Sequence, residues 1–190
     1  GVAGTGYPYN NSTSAGKLLG NVVDNAPIFY AYSYVLSACG NIPLGGEHNV
    51  TNNISINGST CFNVTAANVT LNCDGYSITG NNTTSTYGFY TSQFNTTIKN
   101  CVISNFQHGI YYDTADNGTM QNTSSSTTFT SGHGIYIYNG ANYNTISNST
   151  GTSASGSGIY LTGSSDSNTM NNVTGTSSSS SGIRLGTSSN

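Results

Sequence analysis

The tripeptide Gly-Ile-Tyr constrains this chain more than any other feature. It occurs at Gly109-Ile110-Tyr111, Gly134-Ile135-Tyr136 and Gly158-Ile159-Tyr160, with a variant at Gly182-Ile183-Arg184, at intervals of 25, 24 and 24 residues. Two further series keep step with it. One is Thr97-Ile98, Thr119-Met120, Thr145-Ile146 and Thr169-Met170; the other is Asn100, Asn122, Asn148 and Asn172. Looser copies, Thr70-Leu71 and Gly88-Phe89-Tyr90, carry the period toward the N-terminus. A fixed period of this length marks a chain that coils in stacked units, each too small to bury its own apolar face.

Each period holds three short segments rich in Thr, Ile, Tyr and Val, which favour extended backbone. Gly, Ser and Asn separate them and disfavour helix. The pattern predicts an all-β chain: a right-handed parallel β-helix of about five to six rungs over residues 39–190, behind an N-terminal extension of residues 1–38. Rungs about 4.8 Å apart pair every backbone group and align like residues into ladders. The asparagine series reads as one such ladder, with amide bonded to amide along the stack.

Charged residues form 5% of the chain, and Lys17, Lys99 and Arg184 are its only strong cations. So few cations exclude a phosphate-neutralising surface for nucleic acid and argue against an anionic membrane surface. No run of about 18 apolar residues is present to span a bilayer. The apolar residues recur at fixed places, which separates the chain from disordered low-complexity sequence. A first residue of Gly rather than Met is what a processed secretory precursor would show.

Cys39, Cys61, Cys73 and Cys101 lack the Cys-x-x-Cys spacing of a metal site, so two disulfides are expected in a secreted chain. Three pairings are open. Leu71 and Ile98 share a rung position, so Cys73 and Cys101 should meet on adjacent rungs, at the usual Cα separation of about 5.5–6 Å. Cys39 and Cys61 would then tie the first rung to the segment leading into it.

The run Cys61-Phe62-Asn63-Val64-Thr65-Ala66-Ala67-Asn68-Val69-Thr70-Leu71-Asn72-Cys73-Asp74-Gly75-Tyr76-Ser77-Ile78-Thr79-Gly80, followed by Thr97-Ile98-Lys99-Asn100-Cys101, resembles the opening of pectate-lyase-like parallel β-helix repeat proteins. It is closest in character to the cysteine-bearing versions on archaeal and bacterial cell surfaces. The resemblance covers residues 39–190 and implies the fold and a cell-surface location. Function does not follow from it, because the fold hosts lyases, hydrolases, adhesins and inert scaffolds.

Gly132-His133-Gly134 is similar to a short polygalacturonase signature. Those enzymes also need clustered aspartates and a basic residue for the sugar carboxylate. Here the nearest acids are Asp113 and Asp116, and His133 stands before a rung glycine as His108 does before Gly109. The histidines therefore read as a polar ladder. Six acidic residues scattered through the chain supply no calcium-lyase cluster. The expectation is a protein without catalytic, cofactor or metal-binding residues. Thr150-Gly151-Thr152 and Thr174-Gly175-Thr176 lie 24 apart as a small threonine array, which β-propensity explains.

Fourteen Asn-x-Ser/Thr sequons are present. Asn57, Asn82, Asn95 and Asn117 fall in expected loops and are the glycosylation candidates, whereas Asn122, Asn148 and Asn172 belong to the ladder. Ile28, Tyr30, Tyr32, Tyr34 and Leu36 line one face of a Tyr-rich segment if it is a strand; Ile28, Ala31, Tyr32, Val35 and Leu36 do so if it is a helix. Strand is favoured. Such an arm either caps its own first rung or docks on a second copy by strand addition.

The chain also stops partway through a repeat at Asn190. On these grounds the expected function is structural: a secreted, disulfide-bonded, N-glycosylated subunit whose copies stack head-to-tail into an extracellular filament or surface layer. A polysaccharide-binding adhesin is the alternative, which exposed tyrosines stacked along one face would support. A polysaccharide lyase or hydrolase of the β-helix class is the second alternative.

Overall fold

The structure is a computed structural model, and it describes residues 33–187. The described residues form one compact unit, a right-handed parallel β-solenoid of about 6 turns. No helix is present among the described residues.

All strand pairs are parallel and fall into three sheets. The first stacks Ser33–Leu36, Gly46–Val50, Val69–Asn72, Thr97–Lys99, Thr119–Gln121, Thr145–Ser147 and Thr169–Asn171. The second stacks Ile54–Ser55, Ser77–Thr79, Val102–Ser104, Ser124–Thr127, Thr150–Ser153 and Thr174–Ser177. The third stacks Gly40–Ile42, Phe62–Val64, Tyr87–Thr91, His108–Asp113, His133–Tyr138, Ile159–Leu161 and Ile183–Leu185. From Gly46 onward the chain visits first, second and third sheet in turn; before that, Ser33–Leu36 of the first sheet leads directly to Gly40–Ile42 of the third.

Alternation within each strand decides what enters the core. In the first sheet His48, Leu71, Ile98, Met120, Ile146 and Met170 share one inward register position. In the third sheet Phe62, Phe89, Ile110, Ile135 and Ile159 do so, all fully buried. The second sheet changes character along the stack. Its inward column runs Ile54, Ile78, Ile103, Ser125, Gly151 and Gly175. Losing side-chain volume there lets the second sheet approach the third: a Cβ on Gly151 would lie 2.6 Å from Ile159 Cγ1, and one on Gly134 2.6 Å from the Thr152 nitrogen. The Ser125 hydroxyl spans the narrowed gap by donating to the Gly134 carbonyl at 2.6 Å. The solenoid tapers from an apolar base to a thin, hydroxyl-rich upper half.

The corners are made by residues in the left-handed region, mostly asparagine, which tolerates it better than other side chains. Asn100, Asn122, Asn148 and Asn172 have φ of 57°, 50°, 48° and 52°. Asn100 Nδ2 donates to Asn72 Oδ1 at 3.0 Å, and Asn172 Nδ2 to Asn148 Oδ1 at 2.8 Å. This ladder is the one the sequence series announced.

Both disulfides pair as expected, Cys73 with Cys101 at a Cα separation of 4.8 Å and Cys39 with Cys61 at 4.5 Å. The boundary after residue 38 moves. Ser33–Leu36 is already the first strand of the first sheet, pairing Tyr34 with His48 and Leu36 with Val50. The reason is packing: the Tyr34 ring stacks on His48 at 4.6 Å, so this strand covers the first rung of its own chain. Ile28, Tyr30 and Tyr32 lie outside the described residues.

Candidate functional site

The outward face of the third sheet gathers six tyrosines, Tyr87, Tyr90, Tyr111, Tyr136, Tyr138 and Tyr160. One register column reads Asn41, Asn63, Tyr90, Tyr111, Tyr136, Tyr160 and Arg184. A second begins at Tyr87 and continues through His108 and His133. Repeats of 24–25 residues put like side chains one strand spacing apart, close enough for rings to stack.

In the upper column the ring faces are used by each other. Tyr111 and Tyr136 lie 5.0 Å apart at 19°, and Tyr136 and Tyr160 5.5 Å apart at 13°. The Arg184 guanidinium closes the stack 4.8 Å from the Tyr160 ring centre. Burial pushes the hydroxyl of Tyr136 up to about 12, with neighbouring tyrosines and Asp113 adding to it. Tyr111 is raised further for the same reasons. These phenols stay protonated and present edges and hydroxyls, not faces, to solvent.

The two histidines are held equally firmly. His108 and His133 stack at 5.2 Å and 12°. His108 Nδ1 accepts the backbone N–H of His133 at 3.0 Å, and His133 Nδ1 accepts that of Ser157 at 2.9 Å. Each ring thereby acts as a backbone acceptor for the next rung, which places the neutral ring's proton on Nε2. Burial, then the neighbouring His133, lowers His108 to about 3. Burial lowers His133 as well. The glycines beside His133 have a packing role: a Cβ on Gly132 would clash with the Gln107 carbonyl, as one on Gly134 would with the second sheet. Asp113 and Asp116 serve separate corners. Asp113 accepts from Tyr90 Oη at 3.3 Å and from Asn139 Nδ2 at 3.2 Å, while Asp116 accepts the Asn142 amide at 2.6 Å. Among the described residues no group of three or more His, Cys, Asp or Glu converges as metal ligands would.

At the foot of the column the large residues stop. Below Tyr90 the next position is Asn63, then Asn41. The step leaves a groove of about 530 Å³ walled by Tyr87, Tyr90, Asn41, Asn63, Thr60, Ser59, Ile56, Gly40 and the Cys39–Cys61 disulfide. Not one lining residue is charged. Tyr87 and Tyr90 stack on each other at 5.5 Å and meet Tyr111 edge-on, so the parallel stacking of the tyrosine column ends at Tyr111, while Tyr87 lies parallel to His108 at 5.9 Å. Thr60 Oγ1 accepts the Tyr87 amide at 3.2 Å and anchors that wall. Asn63 Nδ2 donates to Asn41 Oδ1 at 3.1 Å, leaving the Asn63 carbonyl oxygen and the Asn41 amide nitrogen uncommitted among the described residues.

The cysteine pair of this groove is legible in the sequence; the roles of Asn41, Asn63, Tyr87 and Tyr90 in it are not. The available signal was the loose early copy of the repeat, where Phe62-Asn63-Val64 stands in place of Phe89-Tyr90-Thr91. Of the glycosylation candidates, Asn57, Asn95 and Asn117 are exposed and Asn82 is half-buried. Of the assembly candidates within the described residues, Tyr34 and Leu36 are half-buried against their own chain.

Parallel strands in three sheets, inward apolar columns and outward ladders define the class: a right-handed parallel β-helix. The chain belongs to the family described as right handed beta helix region, whose model matches residues 87–190, just over half of its 190 residues. No curated protein and no solved structure matches the chain. The fold and the two disulfides are compatible with an extracellular protein, and no helix among the described residues is long and apolar enough to cross a membrane.

Proposed function

We propose that this chain is an extracellular, N-glycosylated carbohydrate-binding protein without catalytic activity, an adhesin that holds neutral polysaccharide in the groove at the foot of its tyrosine column. The observation that carries this reading is the meeting of two tyrosine rings with two asparagine side chains in a concave, uncharged site. Sugar rings offer C–H faces to aromatic rings and hydroxyls to carboxamides, and such sites pair apolar walls with a few placed polar groups. Charge decides the class of sugar. The groove has no Lys or Arg to hold a uronate, Lys99 is paired with Glu47 at 3.0 Å, and Asp113 beside Tyr90 repels carboxylates.

Native gel electrophoresis through neutral β-glucan, mannan or xylan tests this, with polygalacturonate as the anionic comparison. The expected result is retardation by a neutral polymer that Tyr90→Ala abolishes. Equal retardation of wild type and variant, or none by any neutral polymer, overturns it. Release of reducing or unsaturated ends that His133→Ala abolishes would replace the adhesin with a β-helix lyase or hydrolase.

Assembly of copies into a filament or surface layer is the second reading. It is favoured by the low charge, 5% of residues, which offers little repulsion between molecules. Light scattering and electron microscopy of native material decide it, and a strictly monomeric protein removes it.

A further inference from the structure

Fourteen sequons make the chain look uniformly decorated, yet the fold treats them very differently. N-linked sugar is attached at the asparagine Nδ2, so an amide already donated within the stack is unsuited to carry it. Six sequon asparagines donate theirs: Asn49 to Ser33 Oγ, Asn63 to Asn41 Oδ1, Asn82 to Thr128 Oγ1, Asn95 to Asn68 Oδ1, Asn122 to Asn100 Oδ1 and Asn172 to Asn148 Oδ1. Four more, Asn53, Asn68, Asn81 and Asn148, have the carboxamide fixed through its oxygen. With rungs about 4.8 Å apart, a pyranose on a stacked amide would collide with the next rung. Turning that amide outward would also forfeit its hydrogen bond.

Two sequons in the described residues escape both constraints. Asn57 is exposed, in a tight turn made by Gly58 at φ +69°, whose amide donates to Asn81 Oδ1 at 3.0 Å. That bond ties Gly58 to the Asn81 side chain 23 residues on, and Asn57, Gly58 and Ser59 are all exposed. Asn117 is exposed at a corner with φ 57°, its backbone amide donating to the Asn142 carbonyl at 3.0 Å. Neither side chain hydrogen-bonds to another described residue.

We infer that, among the described residues, N-linked sugar is carried at Asn57 and Asn117, and that the asparagines of the stacked ladders stay bare. The inference rests on the reading of the chain as an exported glycoprotein. It corrects two of the candidates named from sequence, because Asn82 and Asn95 are committed to Thr128 and Asn68.

The test is glycopeptide mass spectrometry of the native protein, with enzymatic release in heavy-oxygen water to mark each occupied asparagine. The expected result is occupancy at Asn57 and Asn117 at least tenfold above that at Asn82, Asn95, Asn122 and Asn172. Comparable occupancy at any of those four overturns the inference and leaves the glycoprotein reading standing. A native protein with no sugar on any asparagine overturns both. The double variant Asn57→Gln/Asn117→Asp supplies a second readout: it should lose the glycan mass of these two sites and keep the wild-type unfolding midpoint, because Asp also tolerates the left-handed backbone at 117.

Discussion

The Nδ1 of His108 accepts the backbone N–H of His133 at 3.0 Å, one rung above it, so an imidazole stands where a β-sheet would ordinarily offer a carbonyl. A ring in that role must be unprotonated at Nδ1, and His108 is buried with its pKa lowered to about 3.

Stability should therefore fall with acid. The folded pKa lies below the unfolded value of about 6.5, so the contribution of His108 is complete above pH 6.5 and is lost as pH drops toward 3, where the unfolded chain binds a proton the folded one refuses. The limiting slope is about 1.4 kcal/mol per pH unit for one site. Denaturant midpoints measured between pH 7 and 3 check this. His108→Asn should flatten the slope, with His133 carrying the remainder; an unchanged slope would show that the ladder does not set acid sensitivity.

Tyr90 and Tyr136 occupy the same column and should separate binding from stability. Tyr136 stacks on Tyr111, Tyr138 and Tyr160, so Tyr136→Ala should cost roughly 1–3 kcal/mol while changing polysaccharide affinity less than about twofold. Tyr90→Ala should lower affinity at least about tenfold, the loss of one good aromatic contact. Denaturation and affinity electrophoresis of both variants give the two readouts.

The disulfides should differ in what they protect. Each closes a loop of similar size, with sequence separations of 22 and 28, so removing either should cost about 3 kcal/mol. Only Cys39–Cys61 walls the groove. Cys39→Ser/Cys61→Ser should weaken sugar binding in addition to stability, and Cys73→Ser/Cys101→Ser stability alone, as read by titration at a temperature where both variants are folded.

Gly151 tests the taper. Gly151→Val would drive methyl groups into Ile159 and the Gly158 backbone and should cost about 3 kcal/mol or more. Thr150→Val, on the outward side of the same strand, should stay within about 0.5 kcal/mol. Urea unfolding of the pair distinguishes a filled core from a close approach of two sheets.

The legible part of the molecule is the part that repeats. Gly109, Gly134, Gly158 and Gly182 announced the stack, and Leu71 and Ile98 placed Cys73 opposite Cys101, because a solenoid turns sequence period directly into register. The groove was not legible. It depends on Asn63 standing where the rungs above carry tyrosine, and that matters only once Tyr90 is known to lie directly above it. The glycan candidates show the same limit: Asn95 reads as a loop residue, but its amide partner, Asn68, comes from the preceding rung.

The sequence by itself determined that the chain coils in rungs of about 24 residues and which side chains form ladders, and it favoured the cysteine pairing that the structure shows. Period and alternation are local properties, and stacking repeats them without choice. The tertiary structure decided where the ladders end, how far the second sheet closes on the third, and which asparagines and tyrosines keep a free face. Those depend on contacts between residues one rung apart, where a change of one side chain opens a groove or fills it.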